Sequence, residues 1–213
     1  MLNGYFISGT DTGVGKTLIA AILVNKLHGI YYKPIQCGLD DNLNKDSDII
    51  DNICKRKIIF QETYFFKNAL SPNIAAKFEE REVRMKSFDK ILKSKTKKKF
   101  IIEGAGGLNV PINESKTMID LIKFFNLPVI LVCRTSLGTI NHTLLSINLL
   151  KERRIKFKGL VFSGKKEPQT IATIKKFGKI ILNESVNVLA HIPIKNKINK
   201  KTVDDMKGLF KKI

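Results

Sequence analysis

The chain has 213 residues, 43% of them hydrophobic, and a formal net charge of +19, a size and apolar content that fit one domain with a substantial core. No apolar run approaches the roughly 18 to 20 residues that cross a bilayer, and the N-terminus lacks the basic start and small-residue cleavage site of a signal peptide; a cytoplasmic protein is expected. The three cysteines, Cys37, Cys54 and Cys133, have no metal-ligand spacing and cannot all pair, which suits a reducing compartment.

In chain order, Tyr5-Phe6-Ile7 reads as a strand and Leu18 to Val24 as a helix, with Gly9-Thr10-Asp11-Thr12-Gly13-Val14-Gly15-Lys16-Thr17 between them. That is the layout of a nucleotide-phosphate loop, in which backbone N–H groups and a helix N-terminus face a polyphosphate. The spacing departs from the usual pattern. Five residues rather than four separate Gly9 from Gly15, and Thr10 stands where the first glycine is expected. Lys16 would reach the outer phosphates and the Thr17 hydroxyl a Mg²⁺ ion.

Gly29 ends the helix, and Ile30 to Lys33 reads as a second strand stopped by Pro34. Ile35 to Asn44 reads as a loop, and Asp46-Ser47-Asp48 opens a helix through Cys54 with acids suited to its N-terminus. Between residues 55 and 98 the pattern is weak, with helix starts at Ser71-Pro72 and at Ser87-Phe88-Asp89. Phe100 to Glu103 is a short buried-type strand broken by Gly104-Ala105-Gly106-Gly107. A capping-box spacing of Thr117 and Asp120 opens a helix to Phe125. Pro128 to Cys133 is a continuous apolar strand of the kind found inside parallel sheets. A helix from Leu137 to Arg153, a strand from Lys158 to Ser163, a helix from Pro168 to Phe177 and a strand from Asn187 to His191 complete the series. The alternation predicts an α/β fold: a doubly wound, mostly parallel sheet in three layers, P-loop NTPase-like, forming a single domain over 1–213.

In such sheets ligands gather beyond the carboxyl ends of the strands. That rim collects the phosphate loop, Lys33, Glu103, Ser163 and the Pro193 turn. Glu103, facing a phosphate loop and followed by glycines that allow close backbone approach, is a candidate metal ligand. The basic charge is spread over Lys97-Lys98-Lys99, Lys165-Lys166, Lys175-Lys176, Lys200-Lys201 and Lys211-Lys212 without interleaved aromatics. It reads as a solvated lysine surface, with neither nucleic acid nor membrane expected as a partner.

Taken together, the phosphate loop, Tyr32-Lys33-Pro34, Asp46-Ser47-Asp48, Ser71-Pro72, Glu103 to Gly107, Pro128 to Val132, Leu137-Gly138-Thr139-Ile140-Asn141-His142 and Ile192-Pro193 resemble the dethiobiotin synthetase family from residue 5 to about 194. The resemblance implies an ATP- and Mg²⁺-dependent ligase that closes a cyclic urea from 7,8-diaminopelargonic acid and CO₂, and a homodimer with substrate at its interface. Lys16 and Lys33 would be catalytic. Thr17, Asp48 and Glu103 would hold Mg²⁺, and Thr12, Gly13, Val14, Gly15, Leu18, Gly104, Ala105 and Gly106 would line the phosphates. Ser163, Gly164 and Pro193 would meet adenine, and Cys37, Thr12, Gly107, Gly138, Thr139 and Asn141 the diamine substrate. Three departures stand out. Gly13 and Cys37 occupy positions that are glutamate in some relatives and commonly serine, and Ser163 replaces an adenine-reading asparagine, which implies relaxed nucleotide selectivity. A rival reading is a partitioning or division-site switch ATPase whose tail, Val203 to Ile213, forms a membrane-surface helix. Such switches carry an additional lysine early in the loop, where this chain has Asp11.

Overall fold

A computed structural model describes residues 2–55, 58–195, 198–211 and 213. The apolar runs become β1 (Gly4–Gly9), β2 (Ile30–Tyr32), β6 (Phe100–Gly107), β7 (Val129–Arg134), β8 (Phe157–Ser163) and β9 (Val188–Ile192), joined at one edge by the two-residue β4 (Ile59–Phe60). They form a seven-stranded sheet in the order β4-β2-β6-β1-β7-β8-β9, and every pairing is parallel. β3 (Ile35–Cys37) and β5 (Tyr64–Phe66) make a separate parallel pair.

Period-two alternation divides the strand side chains between the two faces of the sheet, where they join three apolar clusters. Ile7, Tyr31, Ile101, Ile130, Val132 and Val161 meet α1 (Lys16–Leu27), α2 (Asp46–Cys54) and α8 (Lys200–Met206) on one face. Phe6, Tyr32, Phe100 and Ile102 meet α3 (Pro72–Phe78), α4 (Asp89–Leu92) and α5 (Met118–Phe125) on the other. Leu131, Cys133, Leu160 and Phe162 pack under α6 (Thr139–Glu152) and α7 (Pro168–Leu182). The three layers follow from helices that bury apolar surface on both sides of a sheet whose central strands have no solvent face. α1 is buried almost all round, from Ile19 to Asn25, because it lies between the sheet and the helices α2 and α8.

Beyond shifts of one or two residues at element ends, the structure departs from the sequence reading in four places. The stretch after Pro34 is not all loop: Ile35 to Cys37 pairs with Tyr64 to Phe66, a partner no local pattern reveals. β6 runs through the glycines to Gly107, because Gly107 pairs with Gly9 across a register shift. α7 continues to Leu182. The segment between 58 and 98 is organised by aromatic contact, with Phe88 edge-on to Tyr64 at 5.7 Å and to Phe125 at 6.1 Å; such contacts leave no periodic signal.

The C-terminal segment packs on the domain. Val203, Met206 and Phe210 join the α1 core, the Asn25 amide donates to Asp204 at 2.7 Å, and Lys26 donates to the Lys207 carbonyl at 3.2 Å. Most of the apolar side of the tail is therefore covered, although Leu209 is 40% exposed, and Lys212 lies outside the described residues. Among the described residues no helix is long and apolar enough to cross a membrane.

Candidate active site

β1 delivers the loop at the middle of the sheet, and the Thr10 N–H donates to Val132 O (3.0 Å) to fix its start. Gly13 and Gly15 have φ of 61° and 94°, left-handed conformations that glycine adopts without strain. They turn the chain into α1, where Lys16 occupies the first helical position. Thr12 and Gly13 are exposed at the apex, Val14 is buried in the core, and the Leu18 side chain packs inward, so Leu18 can offer a ligand only backbone. The Lys16 ammonium donates back to the Asp11 carbonyl at 2.9 Å. Burial depresses its pKa to about 8, against an opposing pull from Glu103.

The end of β2 supplies the other cation. Lys33, 6% exposed, donates to Glu103 Oε1 at 3.1 Å and to Asp46 Oδ2. Burial alone would lower its pKa, but Glu103 and then Asp46 outweigh that and hold the ammonium above the ordinary lysine value. Glu103 is 1% exposed. It also accepts from the Thr17 hydroxyl at 3.0 Å and from the buried Tyr31 hydroxyl at 2.8 Å. Burial pushes its carboxyl up, opposed chiefly by Lys33. One buried carboxylate thus ties the phosphate loop, β2 and β6 together.

This donor set fits a Mg²⁺ ion. Thr17 Oγ1 and Glu103 Oε1 are hard oxygens 3.0 Å apart at the start of α1, and Mg²⁺ takes few protein ligands, filling its octahedron with phosphate oxygens and water. Among the described residues no group of three or more His, Cys, Asp or Glu forms an all-protein cage. Asp48 lies in the first turn of α2 with Oδ2 accepting the Lys45 N–H at 2.9 Å. The acid in contact with Lys33 is its neighbour Asp46.

The remaining predicted residues fall into two groups. Ser163 ends β8, Gly164 follows it and Pro193 follows β9, and a Cβ built on Gly15 would sit 3.0 Å from Ser163 Oγ, so this rim adjoins the phosphate loop. On the other side, Thr12 and Gly107 line a cleft of about 540 Å³ that also takes in Asn109, Val110, His142 and Leu145. α6 begins beside it at Gly138, whose φ is 90°. Thr139 turns its hydroxyl to the Arg134 carbonyl (2.7 Å), and Asn141 is exposed. Ala105 and Gly106 sit on the same stretch of β6, with Gly106 near Thr12. Gly104 instead answers to packing, since a Cβ there would lie 2.9 Å from the Phe6 ring. Cys37, at the end of β3, is half-buried with its thiol pushed up to about 12 by burial; it is a neutral, non-nucleophilic group.

Sequence reasoning missed Tyr31, Asp46 and Arg134. Tyr31 was findable, because it precedes Lys33 by two residues and so shares its face of β2. Arg134 ends β7 on the same rim, and its guanidinium donates to the Thr12 carbonyl at 2.6 Å.

A glycine-turned loop with lysine and threonine at a helix start, set on a parallel sheet, defines a P-loop-type nucleotide-binding protein. A model of the AAA domain family matches residues 3–202. The chain is 44% identical over 186 residues to the ATP-dependent dethiobiotin synthetase BioD of Christiangramia forsetii, covering 84% of this chain and 85% of that protein. It is 39% identical over 212 residues to the enzyme of that name from Lawsonia intracellularis, covering 97% and 98%. Among solved structures, a ParA family ATPase from Chlorobium tepidum superposes with a TM-score of 0.57 at 12% identity, covering 97% of this chain and 98% of that one; this likeness shows the fold alone. The chain belongs to the ATP-dependent dethiobiotin synthetase family.

Proposed function

We propose that the protein closes the ureido ring of dethiobiotin from 7,8-diaminopelargonic acid, CO₂ and ATP, releasing ADP and phosphate. The observation that carries this reading is the convergence of Lys33, Glu103 and Thr17 at one point beside the phosphate loop. Relatives bearing that name over nearly the whole chain support it.

One amine of the substrate adds to CO₂ and loses a proton, giving a carbamate. Its oxygen is a poor leaving group, so it attacks the γ-phosphorus of ATP, expels ADP and becomes a carbamic-phosphoric mixed anhydride. The second amine then attacks the carbamoyl carbon, phosphate departs, and the lost proton leaves a neutral cyclic urea. Positioning and charge neutralisation do most of the work in such transfers. Lys16 would meet the β and γ phosphates. Lys33, charged at neutral pH, would sit between the γ-phosphate and the carbamate oxygen and stabilise negative charge as it shifts. Thr17, Glu103 and Asp48 would hold Mg²⁺, whose contribution when bound is to neutralise phosphate oxygens. Ser163, Gly164 and Pro193 would meet the base. The cleft between Gly107 and α6 would take the diamine, with its far carboxylate toward the N–H groups that open α6. A second copy of the chain would complete that cleft.

A phosphate-release assay with ATP, Mg²⁺, bicarbonate and diaminopelargonate, each omitted in turn, tests the proposal. Release is expected only with all four present, with dethiobiotin as product; release indifferent to the diamine would refute it.

A further inference from the structure

The Asp11 to Gly13 apex of the phosphate loop is held from outside by a residue that none of the phosphate-loop chemistry requires. For its N–H groups to face a polyanion, the loop must turn carbonyls away from it, and each needs a donor. Lys16 takes the Asp11 carbonyl at 2.9 Å. Arg134 takes the next one, with Nη2 2.6 Å from Thr12 O, and the same Nη2 lies 3.7 Å from the Asp11 carboxylate. It is 3.6 Å from where a Cβ on Gly13 would stand, so it covers the exposed back of the left-handed turn.

Arg134 is itself held in place. Its backbone is the last of β7, paired with Ser163 of β8, and its carbonyl receives the Thr139 hydroxyl at 2.7 Å. The guanidinium therefore extends from a fixed point on the sheet, whereas Lys16 rides on the loop's own helix. About half of the Arg134 side chain is exposed, so its hydrogen bond is reached from solvent without breaking the core.

We infer that Arg134 is a positioning residue for nucleotide binding: by holding the Thr12 carbonyl outward it fixes the apex of the phosphate loop in its gripping conformation before nucleotide arrives. The inference rests on the loop being a nucleotide site, though not on which carbon–nitrogen bond is made. A preformed loop binds more tightly because less ordering is left to the binding step.

The test compares ATP affinity by calorimetry in the wild type, Arg134→Gln, Arg134→Lys and Lys175→Gln, the last removing an exposed charge on α7. Arg134→Gln is expected to weaken ATP about tenfold, the worth of one hydrogen bond from a charged donor. Arg134→Lys should recover part of that, and Lys175→Gln should stay within about twofold, since an exposed distant charge is screened. In steady state the Arg134→Gln loss should appear in KM for ATP, with kcat lowered less than about threefold. Its unfolding midpoint without ATP should match the wild type, and the rise on adding ATP should shrink. An Arg134→Gln protein that binds ATP as the wild type does, a Lys175→Gln protein equally weakened, an Arg134→Lys protein that recovers nothing, or a wild type that binds no ATP overturns the inference. A wild type that binds ATP yet makes no dethiobiotin removes the proposed reaction and leaves the Arg134 comparison fully readable.

Discussion

The site has two cationic halves that look alike in sequence and differ in the fold. On the phosphate-loop half, Lys16 is 7% exposed and donates to a neutral carbonyl, so burial lowers its pKa to about 8. On the β2 half, Lys33 is just as buried but sits between two carboxylates, and its pKa rises. A buried ammonium facing a dipole is stored at a cost that an arriving polyanion relieves; one facing carboxylates is already satisfied and stays fixed. The first suits a group that grips an incoming phosphate, the second a group that holds its place while charge moves past it.

The largest break in that contrast is Lys33→Gln, expected to lower diamine-dependent phosphate release about 10²- to 10³-fold, the range seen when one donor to a developing negative charge is lost. Equal activity in the variant would remove Lys33 from the chemistry. The halves should also differ in stability, and with opposite sign. Lys33→Met leaves Glu103 and Asp46 facing one another, at a cost of roughly 3 kcal/mol near pH 7. In that variant the folded protein holds the Glu103 proton more tightly than the unfolded chain, so stability falls as pH rises from about 4 towards neutrality. Denaturant unfolding at pH 5 and pH 7 reads this directly.

Lys16→Met should do the reverse in nucleotide-free, metal-free protein. The folded pKa of about 8 lies below the unfolded value, so between about 8 and 10.5 the unfolded chain binds more protons, and wild-type stability climbs with pH through that window. Below it the cost of the buried charge is fully present. Replacing it by Met should stabilise the ligand-free protein at pH 7 by up to about 3 kcal/mol, abolish tight ATP binding, and remove the climb. A less stable Lys16→Met protein would mean that its bond to Asp11 outweighs its burial.

The residues of both halves, though not the contrast between them, could be read before the fold was known, and the reason is local. Gly15-Lys16-Thr17 between an apolar strand and a helix, and Glu103 before a glycine run, carry their meaning within a few residues, and the carboxyl-end rule brought Lys33 to them. The Thr117–Asp120 cap is likewise local: the Asp120 carboxylate accepts the Thr117 N–H at 2.9 Å. What stayed hidden depends on partners far along the chain. Ile35 to Cys37 is a strand only because Tyr64 to Phe66 lies beside it, and Arg134 matters only because β7 ends within reach of Thr12, 122 residues away in sequence. No local pattern separates Asp46 from Asp48, and only the family resemblance singles out Asp48; the turn into α2 gives Asp46 to Lys33 and Asp48 to the Lys45 N–H.

That division between the two acids sharpens the β2 half. Asp48→Asn should raise the Mg²⁺ concentration for half-maximal activity about tenfold, the size of effect expected from weakening one hard oxygen ligand. Asp46→Asn should leave that concentration unchanged and lower kcat by about five- to tenfold, because Lys33 loses one of the two carboxylates that aim it. Magnesium titrations of both variants at saturating ATP separate the roles, and an exchange of the two phenotypes would exchange the assignments.

The smallest effect concerns the edge of the phosphate-loop half. Ser163 stands beside Gly15, close enough that a Cβ there would come within 3.0 Å of its hydroxyl. A hydroxyl has a single donor and a rotating acceptor, so it can answer either edge pattern of a purine or pyrimidine, whereas an amide presents a fixed donor and acceptor pair. Turnover with ATP, GTP and CTP is therefore expected to differ by less than about tenfold in kcat/KM, under 1.4 kcal/mol of discrimination. Ser163→Asn should widen the gap in favour of ATP, with the midpoint of unfolding little changed at this half-buried position. A wild type that already prefers ATP a hundredfold would show that backbone groups near Gly164 and Pro193, and not the side chain at 163, read the base.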